Sequence, residues 1–305
     1  MIHQWFPGSQ RSLANGIATG AAPLGIALTY VLFAASSNWS GWRFAFVVNG
    51  SVSLALTLLW LTYAKDDPRG HPGVNQRELE LIAYSGVSQR AISDEKRPVE
   101  NATPWSQFLR NRGLMLITAS YVSIGYFQYL LFYWIETYFR DKAKFSASQS
   151  QYFSTIATLS MVITMPLGGW VADKLSVRFG RGLSRKVVVM GGMTAASGFL
   201  LLAIQTQSAL PMVICFSLSL GSLGLAEGPF WTTAVELGGK MGGTSAAIFN
   251  TGGNVGGIVA PYLSPWLGEN YGWNVSMGVG SLICLLGVVF WIWISPPAED
   301  SASNN

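Results

Sequence analysis

Eight separate stretches of this chain are each long and apolar enough to cross a bilayer as a helix. They lie at 13–35, 42–64, 113–138, 148–172, 186–205, 209–236, 243–267 and 273–295. A bilayer crossing takes about 20 predominantly apolar residues. Backbone N–H and C=O groups in hydrocarbon must be satisfied within the segment, so runs of this kind are helices. The expected fold class is therefore an all-α polytopic membrane protein with about eight transmembrane helices. Each run mixes Gly, Ala and Ser with Leu, Ile and Val. Small residues of that kind let helix backbones approach one another in lipid. Only 11% of the residues are charged, against about 25% in an ordinary soluble domain.

The charges gather in a few blocks between the runs, and those blocks predict orientation. Residues 65–112 carry eight basic residues (Lys65, Arg69, Arg77, Arg90, Lys96, Arg97, Arg110, Arg112) and seven acidic ones. The stretch 173–186 carries Lys174, Arg178, Arg181, Arg185 and Lys186, whereas 36–41 and 206–208 carry no charge. Basic loops stay in the cytoplasm. If every run crosses once, both basic loops fall on that side, together with both termini. Loop 139–147, with Arg140, Lys142 and Lys144, runs against the rule. The net charge of +4 is explained by this topology and needs no nucleic-acid partner. Cys215 and Cys284 both sit inside apolar runs, as inert buried thiols do. No cleavable signal peptide is visible in the first ten residues.

The arrangement is lopsided, with two runs, a long charged loop and then six runs. Many transporters are two six-helix halves joined by one cytoplasmic loop. On that plan, 1–64 is the last two helices of an amino-terminal half whose first four are missing. Residues 65–112 are then the central loop, 113–295 a complete carboxyl-terminal half, and 296–305 a cytoplasmic tail. A self-contained eight-helix protein is the alternative.

The most specific local pattern is Gly168-Gly169-Trp170-Val171-Ala172-Asp173-Lys174-Leu175, followed by Arg178, Gly180-Arg181 and Arg185-Lys186. Paired glycines let two helix ends approach, and an aspartate there can accept bonds from a neighbouring helix's amino end. The pattern resembles the conformational loop motif of the major facilitator superfamily, Gly-x-x-x-Asp-Arg-x-Gly-Arg-Arg, which recurs in weakened form in the second half. Further segments resemble the anion:cation symporter branch of that superfamily, which holds sugar-acid and organic-anion permeases. They are Trp5-Phe6-Pro7 with Gln10-Arg11, Gly41-Trp42-Arg43-Phe44-Ala45-Phe46, His71-Pro72 through Glu78, Thr103-Pro104-Trp105, and Tyr129-Leu130 through Trp134 and Tyr138-Phe139. Gln10, where the branch usually has Glu, and Glu136, where bacterial members usually have Pro, depart from it. The resemblance implies that the eight runs are helices 5–12 of a twelve-helix fold. It also implies that the basic residues holding a substrate carboxylate lie in the first and fourth helices, which have no counterpart here.

Within the runs, ionisable groups mark candidate sites, because they are costly there. Glu227 is the acid well inside a run, in Gly221-Ser222-Leu223-Gly224-Leu225-Ala226-Glu227-Gly228-Pro229. The glycines and the proline are expected to loosen or kink that helix. Glu227 reads as a protonatable cavity residue, or as a structural acid bonded to a neighbouring helix. Asn250 and Asn254, four apart, share a helix face. The Gly-x-x-x-Gly registers 252/256 and 253/257 beside them form a close-packing face. The resemblance implies a substrate-facing asparagine in this helix, with Asn250 the better match; interhelical hydrogen bonding is the alternative. Tyr126, Tyr129 and Tyr133 share a stripe with Glu136, and Gln128 lies on a neighbouring face; these read as cavity residues or as an interfacial aromatic belt.

The two histidines, His3 and His71, lie outside the runs, metal-ligand spacing is absent, and the glycine runs follow no strand. No enzyme activity and no cofactor are expected. The sequons at Asn38, Asn101 and Asn274 are chance patterns. The resemblance implies alternating-access transport of a small organic anion, such as a sugar acid or carboxylate, coupled to a proton or sodium, in a bacterial inner membrane. A truncated, transport-incompetent remnant, or a membrane protein that depends on a partner, is the alternative.

Overall fold

In a computed structural model of the chain, each of the eight apolar runs is helical over nearly its whole length. The structure describes residues 2–84, 108 and 110–294, and no strand occurs among them. Arg90, Lys96, Arg97, the sequon at Asn101, Thr103-Pro104-Trp105 and the tail 296–305 lie outside the described residues. The helices are α1 (Ile2–Trp5), α2 (Arg11–Tyr63), α3 (Gln76–Tyr84), α4 (Arg112–Asp141), α5 (Ala147–Phe179), α6 (Arg181–Ala203), α7 (Ala209–Leu237), α8 (Gly242–Tyr271) and α9 (Trp273–Trp293). Backbone contacts divide the chain into two compact units, one of Met1–Gly8 and Ala21–Glu100, the other of Ser9–Gly20 and Asn101–Asn305.

In the first unit, α2 holds the first two apolar runs as two arms. Ser40 and Gly41 break its helical geometry, and Gly41 adopts φ 82°, which favours a residue without Cβ. Phe33 and Phe46 then meet edge to face at 5.3 Å, whereas thirteen residues of straight helix span about 20 Å. The chain therefore doubles back, as the uncharged 36–41 stretch predicts. Val47, Leu54, Leu58 and Leu61 of the second arm are exposed. After it, His71 packs edge to face on Trp5 and Tyr63, and the Trp5 indole donates to the Lys65 carbonyl at 3.2 Å. Asn75 and Glu78 then form a reciprocal cap that starts α3, with Glu78 N donating to Asn75 Oδ1 at 2.9 Å and Asn75 N to Glu78 Oε2 at 3.1 Å.

The second unit contains the six helices α4–α9 and the first turns of α2. Its strongest pairings are α4 with α8, α5 with α7, and α6 with α7, with α9 against α4 and α6. Asn111 caps α4, and Ser146 with Gln149 forms a capping box on α5. The helices overrun their apolar cores. The stretch 173–186, expected as a loop, is helix on both sides of Gly180, whose φ of 78° turns α5 directly into α6. Hydropathy marks only the apolar part of a helix, whereas intrahelical bonds continue for as long as side chains permit. Among the described residues, six stretches are long and apolar enough to cross a membrane: 35–63, α4, α5, α6, α7 and α9; the first expected run, 13–35, is not among them. Nor is the α8 helix, rich in Gly, Asn and Pro.

Candidate functional site

Packing of α7 explains where its acid ends up. A Cβ at Gly224 would come within 2.4 Å of Thr164 Oγ1, and one at Gly228 within 2.4 Å of the Ser12 carbonyl. One at Gly168 of α5 would come within 2.1 Å of the Leu225 carbonyl. These glycines therefore serve as contact surfaces against α5 and α2. They do not break the helix: α7 runs as one helix from Ala209 to Leu237 with Pro229 inside it.

Glu227 itself is 2% exposed and meets α4. Tyr121 Oη donates to Glu227 Oε2 at 3.0 Å, while Oε1 has no hydrogen-bond partner. The Tyr121 ring stacks on Phe249 of α8 with centroids 3.9 Å apart and also contacts Phe230 and Trp231. It fits against α8 because residue 253 is glycine; a Cβ there would lie 2.7 Å from two of the ring carbons. The four glycines of the two Gly-x-x-x-Gly registers are all buried. Those of the 252/256 register abut Thr118 and Val122, and those of the 253/257 register abut Tyr121 and Tyr129.

The other candidates lie apart from this pair. Asn250 and Asn254 are exposed on α8, and Asn254 Nδ2 donates to the Asn250 carbonyl at 3.1 Å. Neither shares a hydrogen bond with Glu227. Tyr126 is buried and its hydroxyl meets Ser264 Oγ at 3.1 Å. Tyr129 and Tyr133 stack at 5.9 Å, the first half-buried and the second exposed, and Gln128 is half-buried. Glu136 lies 4.0 Å from Arg140. The single stripe thus divides between a buried contact to α8 and an open aromatic pair.

At the end where α5 meets α6, the loop motif is tightly built. A Cβ on Gly169 would come within 2.1 Å of the Ser12 carbonyl, so α5 and α2 touch backbone to backbone. One turn on, the buried Asp173 accepts from Leu13 N at 2.8 Å and Ser12 N at 3.3 Å, the first amides of α2. A carboxylate there satisfies orphan donors and opposes the helix dipole. Lys174 lies over the Trp170 ring at 4.7 Å, and Arg178 lies 5.4 Å from the Phe179 ring centroid, both exposed. Arg181 is half-buried. The central acid of this end is Glu236, which receives both terminal nitrogens of the buried Arg185, Nη2 at 3.1 Å, together with Arg11 Nη1 at 3.5 Å. Asn15 Nδ2 adds a bond to Thr232 Oγ1 at 2.8 Å.

Sequence reasoning missed Tyr121, Glu236 and the ion-pair role of Arg11 and Arg185. Tyr121 carried a usable signal, a hydroxyl in the middle of an apolar run. Glu236 carried one too, an acid at the end of a run on the same side as the basic stretch 173–186.

The second unit, long apolar helices in close glycine contact with a buried acid and a charged network at one end, is that of a polytopic membrane protein. The description "Major Facilitator Superfamily" matches residues 1–261, and the chain belongs to that family. It is 30% identical over 249 residues to a Cupriavidus necator protein named "Probable sulfoacetate transporter", covering 81% of this chain and 56% of that one. It is 28% identical over 265 residues to a Bacillus subtilis "Probable galactarate/D-glucarate transporter", covering 83% and 56%. It is 23% identical over 295 residues to the chloroplastic ascorbate transporter of Arabidopsis thaliana, covering 95% and 52%. The chain thus spans about half the length of the curated relatives it matches. Its fold is also that of a proton:xylose symporter solved with 6-bromo-6-deoxy-D-glucose, with a TM-score of 0.62 at 17% identity over 96% of this chain and 66% of that one.

Proposed function

We propose that this protein serves in secondary active transport of a small organic anion, a sugar acid or a carboxylate, coupled to a proton or sodium through alternating access. The observation that carries the proposal is Glu227, an acid 2% exposed, with one oxygen bonded to Tyr121 and the other without a partner. A carboxylate so enclosed is costly unless it binds a cation or takes up a proton. It lies nine residues before Glu236 on α7, about 14 Å along the helix axis, at a depth where alternating-access sites lie. On α8, the exposed amides of Asn250 and Asn254 supply hydrogen-bonding groups suited to hydroxylated or carboxylated solutes. The names of the relatives, which include sulfoacetate and galactarate/D-glucarate transporters, support an anionic substrate.

In this proposal residues 1–64 act as helices 5 and 6, 65–112 as the central loop and 113–295 as helices 7–12 of a twelve-helix carrier. The termini and basic loops are cytoplasmic, the membrane is a bacterial inner membrane, and Asp173, Glu236 and their partners close the cytoplasmic end. Neither enzyme chemistry nor a cofactor enters. The test has two parts. The DNA upstream of Met1, read in frame, is expected to encode about four further apolar runs with an intramembrane Arg or Lys. Cells expressing that whole frame are expected to accumulate a labelled sugar acid or sulfonate, and to lose it when the proton or sodium gradient is collapsed. A stop codon close upstream, with no gradient-dependent uptake of any organic anion, would refute the proposal.

A further inference from the structure

Glu227 and Tyr121 form a closed pair whose hydrogen-bond bookkeeping depends on one proton. With Glu227 ionised, the Tyr121 hydroxyl donates to Oε2 and every donor in the pair has an acceptor. Adding a proton to the carboxyl creates a second donor. On Oε1 that proton has no hydrogen-bond partner in the arrangement seen here, while Oε2 still accepts from Tyr121 as the oxygen of a neutral acid. On Oε2 it faces the tyrosine oxygen, and the tyrosine's own proton must then turn elsewhere. Trp231, one turn along α7, brings an indole N–H, which is a donor only and relieves neither case. Each protonation state therefore leaves a different deficit: ionised, an enclosed charge held by one charge-assisted bond; protonated, a weaker bond to Tyr121 and an unpaired carboxyl proton.

The remaining charged groups near this part of α7 are engaged elsewhere. From α2 and α6, Arg11 and Arg185 bind Glu236. From α5, Asp173 is bonded to the first amides of α2. From α4, Tyr129 is the next titratable group beyond Tyr121. The α8 residues against Tyr121 are Phe249 and Gly253, and the α9 residue beside this cluster is Trp291 on Phe230; none of them titrates.

Tyr121 is also fixed to α8. Its ring stacks on Phe249, the residue before Asn250, and lies on the backbone at Gly253, the residue before Asn254. The tyrosine cannot swing away from Glu227 without disturbing this stretch of α8.

We infer that Tyr121 is the positioning residue through which the protonation of Glu227 acts on α8 and so on the Asn250–Asn254 face. This rests on the reading of Glu227 as the coupling acid. Proton uptake turns the charge-assisted bond to Oε2 into a weaker neutral one, the ring is held less firmly against Glu227, and the α8 turn stacked on it responds.

The test uses the full chain in lipid nanodiscs, with infrared spectra and backbone hydrogen exchange recorded from acid to neutral pH. A neutral-carboxyl C=O band that grows with acid and is missing in Glu227→Gln belongs to Glu227. In Tyr121→Phe, which keeps the stacked ring, that band is expected at higher wavenumber, having lost its partner. Protection factors across 249–257 are expected to differ between acid and neutral pH in the parent chain, and to become equal in Tyr121→Phe and in Glu227→Gln. A Glu227 band that titrates but is unmoved by Tyr121→Phe, or α8 protection that still follows pH in that variant, overturns the role of Tyr121 and leaves the coupling acid standing. If no titrating band is lost in Glu227→Gln, the coupling reading fails and the inference fails with it.

Discussion

Glu236 offers a prediction whose size follows from the structure. It takes both terminal nitrogens of Arg185, whose side chain is 2% exposed, and a third contact from Arg11, 9% exposed. Replacing it with alanine leaves the buried Arg185 charge without its bonded partner, with only the charge of Asp173, itself bonded to the first amides of α2, nearby. Breaking a buried pair from one side costs about 3–5 kcal/mol, mostly as an uncompensated charge. The Glu236 side chain is itself 17% exposed, so water can reach part of the site, and the lower end, about 3 kcal/mol, is expected. Glu236→Gln keeps an acceptor oxygen and is expected to cost less than alanine. The double variant Arg185→Met with Glu236→Leu removes both charges together and is expected to recover most of the loss. The assay is unfolding in mixed detergent–SDS micelles followed by tryptophan fluorescence. If Glu236→Ala unfolds at the same SDS fraction as the parent, or if the double variant is worse than the single one, the reasoning about this network is wrong.

Other predictions rest on packing, capping and topology. Gly169→Leu is expected to destabilise by about 3 kcal/mol, because a Cβ there would come within 2.1 Å of the Ser12 carbonyl; Gly191→Ala, mid-helix with nothing within 4 Å, is expected to be neutral or slightly stabilising in the same SDS assay. Asp173→Ala removes the cap on Ser12 N and Leu13 N and is expected to cost about 1–2 kcal/mol, read in the same way. For topology, membrane-impermeant thiol reagents applied to intact cells are expected to label Asn38→Cys and to spare Arg77→Cys; the reverse pattern would invert the proposed orientation.

The eight helices were legible because membrane insertion reads the chain one segment at a time, and a run of apolar residues says the same thing in any context. The hairpin at Ser40–Gly41 was legible as an uncharged gap, and the burial of Gly252 and Gly256 as a spacing. The limits of the helices were not, since 173–179 is charged yet helical. Nor was the pairing inside the bundle. Tyr121 and Glu227 lie 106 residues apart, and Arg185 and Glu236 lie 51 apart. Nothing local in either pair names its partner, because the contact is made by helix packing. The tyrosines at 126, 129 and 133 drew the eye by their spacing, whereas the tyrosine against the acid stood five residues before the first of them. A glycine- and proline-rich stretch around Glu227 reads as a break from composition alone, but these residues are tolerated within α7, where the glycines let α5 and α2 come close.

The most direct measurement of the account is ion-driven uptake by the whole reading frame in membrane vesicles, compared with exchange of substrate at equal concentrations on both sides. Glu227→Gln is expected to abolish accumulation of the labelled anion while leaving exchange largely intact, because it removes the coupling charge and keeps the shape of the site. Asn250→Ala is expected to weaken both, because it removes a substrate contact. Glu227→Gln and Asn250→Ala proteins that reach the membrane and accumulate the anion as the parent does would contradict the assignment of coupling and binding to these residues.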